Sequence, residues 1–197
     1  AITFDISSFF DNLDHYKLKE VWNRILADGN ELPEHHYAVF RNLTKFSYVE
    51  IDELFEEFKD DMLVKDKDGN IIKQAIPKIE LLKEKKAISF CDGKKEFRER
   101  VKGKNLIKNN KWVRDKYGNK SLRKKGIPQG SPISATLANI YMIDFDTVIN
   151  KAITDLGGLY QRYSDDMVAI VEEEHMQDII DLFQNEIKNS KLEIQPS

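Results

Sequence analysis

Two strand-like apolar runs, GGLYQR (157–162) and MVAIVEE (167–173), are separated only by Tyr163-Ser164-Asp165-Asp166. Runs this close read as two strands of one hairpin, with these four residues at its tip. The tip is chemically odd. Adjacent carboxylates repel and resist joint ionisation, and a hairpin tip without special duties carries Asn-Gly or Asp-Gly. The doublet is either an accident of the surface or a place where a cation offsets the repulsion.

The rest of the chain supplies the frame. AITFDIS (1–7) reads as a short strand. Asp14 can cap a helix whose apolar positions Leu18, Val21, Trp22, Ile25 and Leu26 follow helical spacing. ADGNELP (27–33) breaks it, and helices are expected over about 34–45 and 51–62. KDKDGN (65–70) and FCDGKK (90–95) are turns. WVRDKYGNKSLRKK (112–125) predicts a hairpin around Tyr117-Gly118-Asn119. Ser131-Pro132 is a helix start, with Pro at the first helical position, for a helix from Ile133 to about Leu156. After the hairpin comes an amphipathic helix with Met176, Ile179, Ile180, Phe183 and Ile187 on one face, then a last strand, LEIQP (192–196). No internal repeat is visible.

Strand, helices, long helix, hairpin, helix, strand is an α+β order, a small antiparallel sheet backed by helices. In such a sheet the strand ending at Asp5 can lie beside the hairpin tip, which would gather Asp5, Asp165 and Asp166. Three converging carboxylates form an oxygen-donor site for a hard cation, Mg²⁺ in particular. Two such ions stabilise the attacking and leaving oxygens of a phosphoryl displacement.

Charge is distributed unevenly. Residues 83–125 hold 17 Lys/Arg against 5 Asp/Glu, whereas the remainder holds 14 basic and 29 acidic residues. A block of this density can track a phosphate backbone. Lys104, Lys108, Lys111, Arg114, Arg123, Lys124 and Lys125 are its candidate contacts, and Trp112 is a candidate base-stacking residue as well as a packing one. No apolar run reaches the length of about 20 residues that a membrane span needs. The single cysteine, Cys91, forms no internal disulfide and fits a cytoplasmic protein. His15, His35, His36 and His175 show no zinc-type spacing and read as surface residues. The chain opens without Met, already in a strand pattern, and ends strand-like, so it reads as an excerpt of a longer protein.

Three stretches resemble one family. FDISSFFDNLDH (4–15) is similar to the first palm motif of reverse transcriptases, GIPQGSPISATLANIYM (126–142) to their Gly-x-Pro-Gln-Gly motif and following helix, and YSDD to their Tyr-x-Asp-Asp box. Each is modest evidence alone; in this order they are specific. The resemblance covers residues 1–28 and 124–172 and is nearest to the bacterial group II intron, retron and phage-defence enzymes. It implies a right-hand polymerase palm, with a ferredoxin-like or RRM-like sheet, over 1–30 and 124–197. A helical, basic fingers-type or lineage-specific insertion would then occupy 31–123. It further implies Asp5, Asp165 and Asp166 as catalytic metal ligands for two Mg²⁺ ions (or Mn²⁺), with the Ile6 carbonyl as a further ligand. Phe10 would be the aromatic gate under the sugar and Phe9 core packing. Gln129 and Gly130 would touch the incoming nucleotide, and Tyr163 would lie near the primer terminus. The implied partners are an RNA template, a DNA or RNA primer, dNTPs and a structured noncoding RNA.

The departures from the family also matter. The upstream residues that grip the triphosphate, the lysine after the last strand and the thumb all lie outside the sequence, so this excerpt is expected to polymerise poorly alone. The long gap from Asp5 to Gly126 favours a stand-alone, defence-type enzyme over an intron maturase. Two other classes compete with a DNA polymerase. An RNA polymerase on a related palm usually carries Asp where Phe10 stands; nucleotide cyclases carry a different hairpin. An inactive nucleic-acid-binding fragment would have no need of three carboxylates.

Overall fold

The computed structural model describes residues 1–27, 31–114 and 117–195. In chain order its elements are β1 (Ile2–Phe4), α1 (Phe9–Asn12), α2 (His15–Ala27), α3 (Glu34–Thr44), β2 (Ser47–Tyr48), α4 (Ile51–Phe58), β3 (Met62–Lys65), β4 (Ile71–Gln74) and β5 (Ala87–Ser89). There follow α5 (Gly93–Glu96), a π-helical turn (Phe97–Lys102), β6 (Lys108–Asn109), β7 (Trp112–Arg114), β8 (Lys120–Leu122), α6 (Ser134–Asp155), β9 (Leu159–Tyr163), β10 (Asp166–Ile170) and α7 (Met176–Asn189). The chain divides into two compact units, 1–46 with 111–197, and 47–110.

The first unit contains an antiparallel sheet in the order β1-β10-β9. An isolated antiparallel bridge between Ile6 and Ile194 adds the final segment beside β1. The spatial order is therefore last segment, β1, β10, β9, with α6 and α7 as the two connections. This is the β-α-β-β-α-β ferredoxin-like arrangement. The final strand is reduced to that bridge, held by Ser7 N–H to the Glu193 carbonyl (2.9 Å) and Gln195 N–H to the Asp5 carbonyl (2.8 Å).

The pleat decides which face is buried. Pairing aligns Ile2 with Ala169 and Tyr160, and Phe4 with Met167 and Arg162. This face packs on Leu137, Tyr141, Phe145, Ile149 and Ile153 of α6 and on Ile179, Phe183 and Ile187 of α7. Phe183 stacks on Phe4 (4.4 Å) and meets Phe145 and Tyr160 edge-on (5.7 and 5.9 Å). The other face, with Thr3 and Gln161 exposed, is open.

Several boundaries differ from expectation. Asp14 caps α2 through the Lys17 amide (2.9 Å), but Ile25 and Leu26 are exposed because the last turn of α2 lies outside the core. The helix α6 begins at Ser134, not at Ile133. Ser131 and Pro132 lie in the preceding turn, where the Ser131 carbonyl accepts the Ser134 amide and the Ser134 hydroxyl donates to the Pro128 carbonyl (2.6 Å). The helix α4 ends at Phe58 rather than near Met62, because Met62 is drawn into β3. The expected hairpin forms from β7 and β8, with Trp112 opposite Leu122; Asp115 and Lys116 lie outside the described residues.

The second unit is narrower than the 31–123 segment and is not simply helical. It pairs β2 with β6 and holds a three-stranded sheet, β4-β3-β5. Phe55, Phe58, Met62, Val64, Ile76 and Val101 form its core. Arg100 lies 4.0 Å over the Phe58 ring and pairs with Glu57, Asp61 and Glu96.

Candidate active site

Continuing the β1–β10 register by one position places Asp5 opposite Asp166, which pairs with Tyr163. These residues stand in one row on the open face, because side chains alternate along a strand and Phe4 and Met167 face the helices. Asp5, Tyr163 and Asp166 line one groove of about 1550 Å³, whose wall is not confined to the open face: Phe4 and Met167 of the helix-facing row and Ile180 and Lys188 of α7 line it too. Tyr163 is 85% exposed. Asp165 is not in the row. It sits with Ser164 in the two-residue turn, outside the ladder, so the pleat does not aim it.

Oxygen donors of this kind suit a hard cation. Among the described residues, however, no three His, Cys, Asp or Glu side chains converge closely enough to hold a metal ion. The three-carboxylate convergence expected from the sequence is thus reduced to a pair fixed by register, Asp5 and Asp166, with Asp165 adjacent to it in the chain.

The turn itself is unusual. Ser164 has φ +59°, while Asp165 is not left-handed. Positive φ at the first central position alone is the type II′ pattern, which glycine usually fills. Beneath it lies a polar network that sequence reasoning missed. The Arg162 guanidinium donates to both Asp146 oxygens (Nε 2.8 Å, Nη2 2.6 Å), to the Ser164 carbonyl (Nη1 2.8 Å) and to Asn139 Oδ1 (3.3 Å). The Tyr160 hydroxyl donates to Asp146 Oδ1 (2.7 Å). Burial and the Asp146 carboxylate push the Tyr160 phenol well above its ordinary pKa. Burial works against the Arg162 charge, but Asp146 more than offsets it, so the guanidinium titrates above its usual range. An Arg directly before the Tyr-x-Asp-Asp box was the available signal; its partner on α6 was not readable.

The 126–130 loop is stitched to the segment after Asp5. The Ile127 amide donates to the Phe10 carbonyl (2.9 Å), the Gly126 amide to the Leu13 carbonyl (2.9 Å), and His15 Nε2 bonds the Gly126 carbonyl (2.7 Å). His15 is therefore half-buried and structural, not a surface residue; burial holds its imidazole below the ordinary value, against the opposing pull of the Gly126 carbonyl and Asp14. Ile6 and Phe9 are buried in the core, and Phe10 is half-buried, its ring 5.4 Å from that of Phe9. Both aromatics lie on α1, not on the strand that leads to Asp5, so they are separated by a helical step rather than by opposite faces of a strand. Phe10, Gln129 and Gly130 do not line the groove. Gln129 and Gly130 are exposed.

The basic candidates divide. Lys104 pairs with Glu57 (2.7 Å) and Lys108 with Glu53 (2.6 Å), inside the second unit. In the first unit, the ammonium groups of Lys111 and Lys120 lie 5.3 and 5.0 Å from the Trp112 ring centre, and Trp112 is 43% exposed. Arg114 donates to the Gly118 carbonyl (3.1 Å). Lys124 and Lys125 are exposed, and the Lys124 carbonyl accepts the His15 amide (2.9 Å). Arg123 is half-buried, with a side-chain nitrogen close to Gly126.

Comparison with known proteins gives one family. A family model described as reverse transcriptase (RNA-dependent DNA polymerase) matches residues 38–197, which include the 126–130 loop and the YSDD turn and begin beyond Asp5. Among curated proteins none matches the chain. Similar solved structures include telomerase from Candida tropicalis in complex with a TWJ fragment of telomeric RNA, at 18% identity and TM-score 0.45, over 98% of this chain and 24% of that one. Apo telomerase from Candida tropicalis, truncated from its C-terminal domain, gives 16% and 0.45, over 98% and 28%. Telomerase from Candida albicans with a TWJ fragment gives 14% and 0.41, over 98% and 26%. The chain spans about a quarter of the length of these proteins. On the match over residues 38–197, the chain belongs to the reverse transcriptase (RNA-dependent DNA polymerase) family.

Proposed function

We propose that the chain is the catalytic core of an RNA-directed DNA polymerase that adds dNTPs to a primer 3′ end along an RNA template. The observation that carries the reading is the Asp5–Asp166–Tyr163 row, open on one face of the sheet and lining a single groove. The carboxylates of Asp5, Asp165 and Asp166, with the Ile6 carbonyl, would hold two Mg²⁺ or Mn²⁺ ions, which when bound neutralise charge on the transferred phosphoryl group. Tyr163 offers an exposed ring to the primer terminus. Gly130 leaves its backbone approachable, and Gln129 beside it supplies an amide to the nucleotide. Phe10 limits room at the sugar. Trp112, with Lys111, Arg114, Lys120, Lys124 and Lys125, supplies stacking and counter-charge for a nucleic-acid strand. The length of chain between Asp5 and Gly126 supports a stand-alone, defence-type bacterial enzyme working with a structured noncoding RNA.

The test is primer extension on an RNA template by the full-length protein and by its Asp165→Asn and Asp5→Asn variants. Each substitution keeps shape and removes a charge. Both variants should fold and lose incorporation. Near-normal extension by either one overturns the metal-ligand reading.

A further inference from the structure

We infer that Arg162, oriented by Asp146, is a positioning residue that sets the direction of Asp165 in the catalytic turn. The inference rests on the polymerase reading above, since it treats the turn as catalytic.

Arg162 belongs to the row that faces the helices, and its side chain is only 6% exposed. Burying a guanidinium is costly unless it is paired and its donors are used. Asp146 answers the charge with a two-pronged contact. That pairing leaves one terminal nitrogen pointing up the strand, and it reaches the Ser164 carbonyl at 2.8 Å. The choice of acceptor is the informative part. The Ser164 oxygen belongs to the planar peptide unit that joins Ser164 to Asp165. Holding that oxygen fixes the rotation of the plane, and so both ψ of Ser164 and φ of Asp165. In a two-residue turn these angles decide where the Asp165 side chain points. The same contact holds Ser164 in its left-handed conformation, which a non-glycine residue adopts only when its surroundings impose it.

The direction of Asp165 needs such a device because the ladder does not supply one. Asp5 and Asp166 are aimed by the pleat; Asp165 is aimed by its turn alone. The guanidinium approaches from the helix side, and Asp146 neutralises it there, so it steers the turn without cancelling the carboxylates on the open face. Lysine does not substitute for this. It is a point charge without the rigid fork, and one ammonium does not hold a bidentate carboxylate and a carbonyl together.

A plain structural role for the buried pair is the competing explanation, and the test separates the two. Replacing a buried ion pair by apolar residues of similar volume is often neutral or stabilising. In the full-length protein, the triple variant Asp146→Leu/Tyr160→Phe/Arg162→Met removes both buried charges and the Tyr160 hydroxyl together, so that neither charge is left buried without its partner, and frees the Ser164 carbonyl and Asn139 Oδ1 from their donor. Arg162→Lys is made alongside, keeping the charge. Thermal melting, kcat and KM for dNTP incorporation, the Mg²⁺ concentration for half-maximal rate, and Mn²⁺ binding without nucleotide are measured. The triple variant should melt near wild type, yet lose on the order of 10- to 100-fold in kcat, the scale expected for a misplaced catalytic group. Its KM for dNTP should be unchanged, its Mg²⁺ requirement raised and its Mn²⁺ binding weakened. Arg162→Lys should shift the metal dependence in the same direction. A folded triple variant with wild-type kcat and metal dependence overturns the inference. If the triple variant does not fold, Arg162→Lys decides: unchanged kcat and metal dependence overturn the inference, and a raised metal requirement upholds it. A wild type that incorporates no dNTP overturns the polymerase reading, and this inference with it, before any variant is compared.

Discussion

Gly126 and Gly130 both have left-handed backbones, φ +91° and +81°, but different surroundings. An alanine Cβ at 130 would meet nothing within 4 Å. At 126 it would lie 2.9 Å from the Asp11 carbonyl oxygen, 3.4 Å from its carbon and 3.3 Å from an Arg123 side-chain nitrogen. Gly130→Ala should therefore cost only the left-handed penalty, about 1–2 kcal/mol. Gly126→Ala adds a clash with backbone. Relieving it means moving α1, or loosening the bonds of Gly126 to Leu13 and His15. At about 1 kcal/mol for each of those two bonds, the extra cost is about 2 kcal/mol. For a chain of this length that separates the two melting temperatures by about 4–8 °C. Parallel thermal melts of both variants check this. Equal losses would show that the tight approach of the loop to Asp11 contributes nothing, and the account of how the loop is anchored would be wrong.

Other expectations follow from neighbouring residues. Phe9→Ala should destabilise by about 3–5 kcal/mol, because the ring is buried in the core. Phe10→Ala should instead relax sugar choice, raising ribonucleotide use by about tenfold to a hundredfold in primer extension; unchanged discrimination refutes the gate, and a wild type preferring rNTPs favours an RNA polymerase. His15 titrates below its ordinary value in the folded chain, so the unfolded chain binds the proton more readily. Its contribution to stability is complete above about pH 6.5, falls as pH drops below that, and levels off once the folded imidazole protonates; denaturant midpoints of wild type and His15→Gln between pH 7.5 and 5 check this, the variant showing the shallower loss. Binding of single-stranded RNA should weaken steeply with salt, and Trp112→Ala should lower affinity by about 1–3 kcal/mol at every salt concentration; a salt-independent affinity would remove the hairpin from the interface.

What the sequence disclosed follows the reach of each signal. Alternation is local and strong, so β1, β9 and β10 were readable, as were the buried positions of α7. Cap chemistry is equally local, and Asp14 bonds the start of α2 as its spacing suggested. Signals failed where a distant partner decides. Helical spacing continues through Ile25 and Leu26, but only neighbours from elsewhere in the chain determine whether that turn meets a core. Ser131-Pro132 has the chemistry of a helix start, yet Ser134 finds its acceptor at Pro128. His15 looked like surface because nothing near it in sequence reveals that the Gly126 carbonyl closes over it. Arg162 was likewise invisible without Asp146, which lies 16 residues earlier on a different element. The helical reading of the insertion misses the strands of the second unit because each is only two to four residues long, too short for alternation to show.

In the second unit, Ser47 pairs with Asn109, so the chain leaves that unit beside the point where it enters. A segment whose ends meet in this way can be lengthened, shortened or exchanged without changing the distance its flanking residues must bridge. The entropy of closing such an excursion grows only logarithmically, by about 0.6 kcal/mol for each doubling of its length. Even a large change in what lies between Phe46 and Lys111 would therefore weigh less on the ferredoxin-like sheet than a single cavity in its core. The geometry makes 47–110 the part of the chain freest to diversify, a cassette in which new binding surfaces can arise while the sheet that carries Asp5 and Asp166 stays as it is.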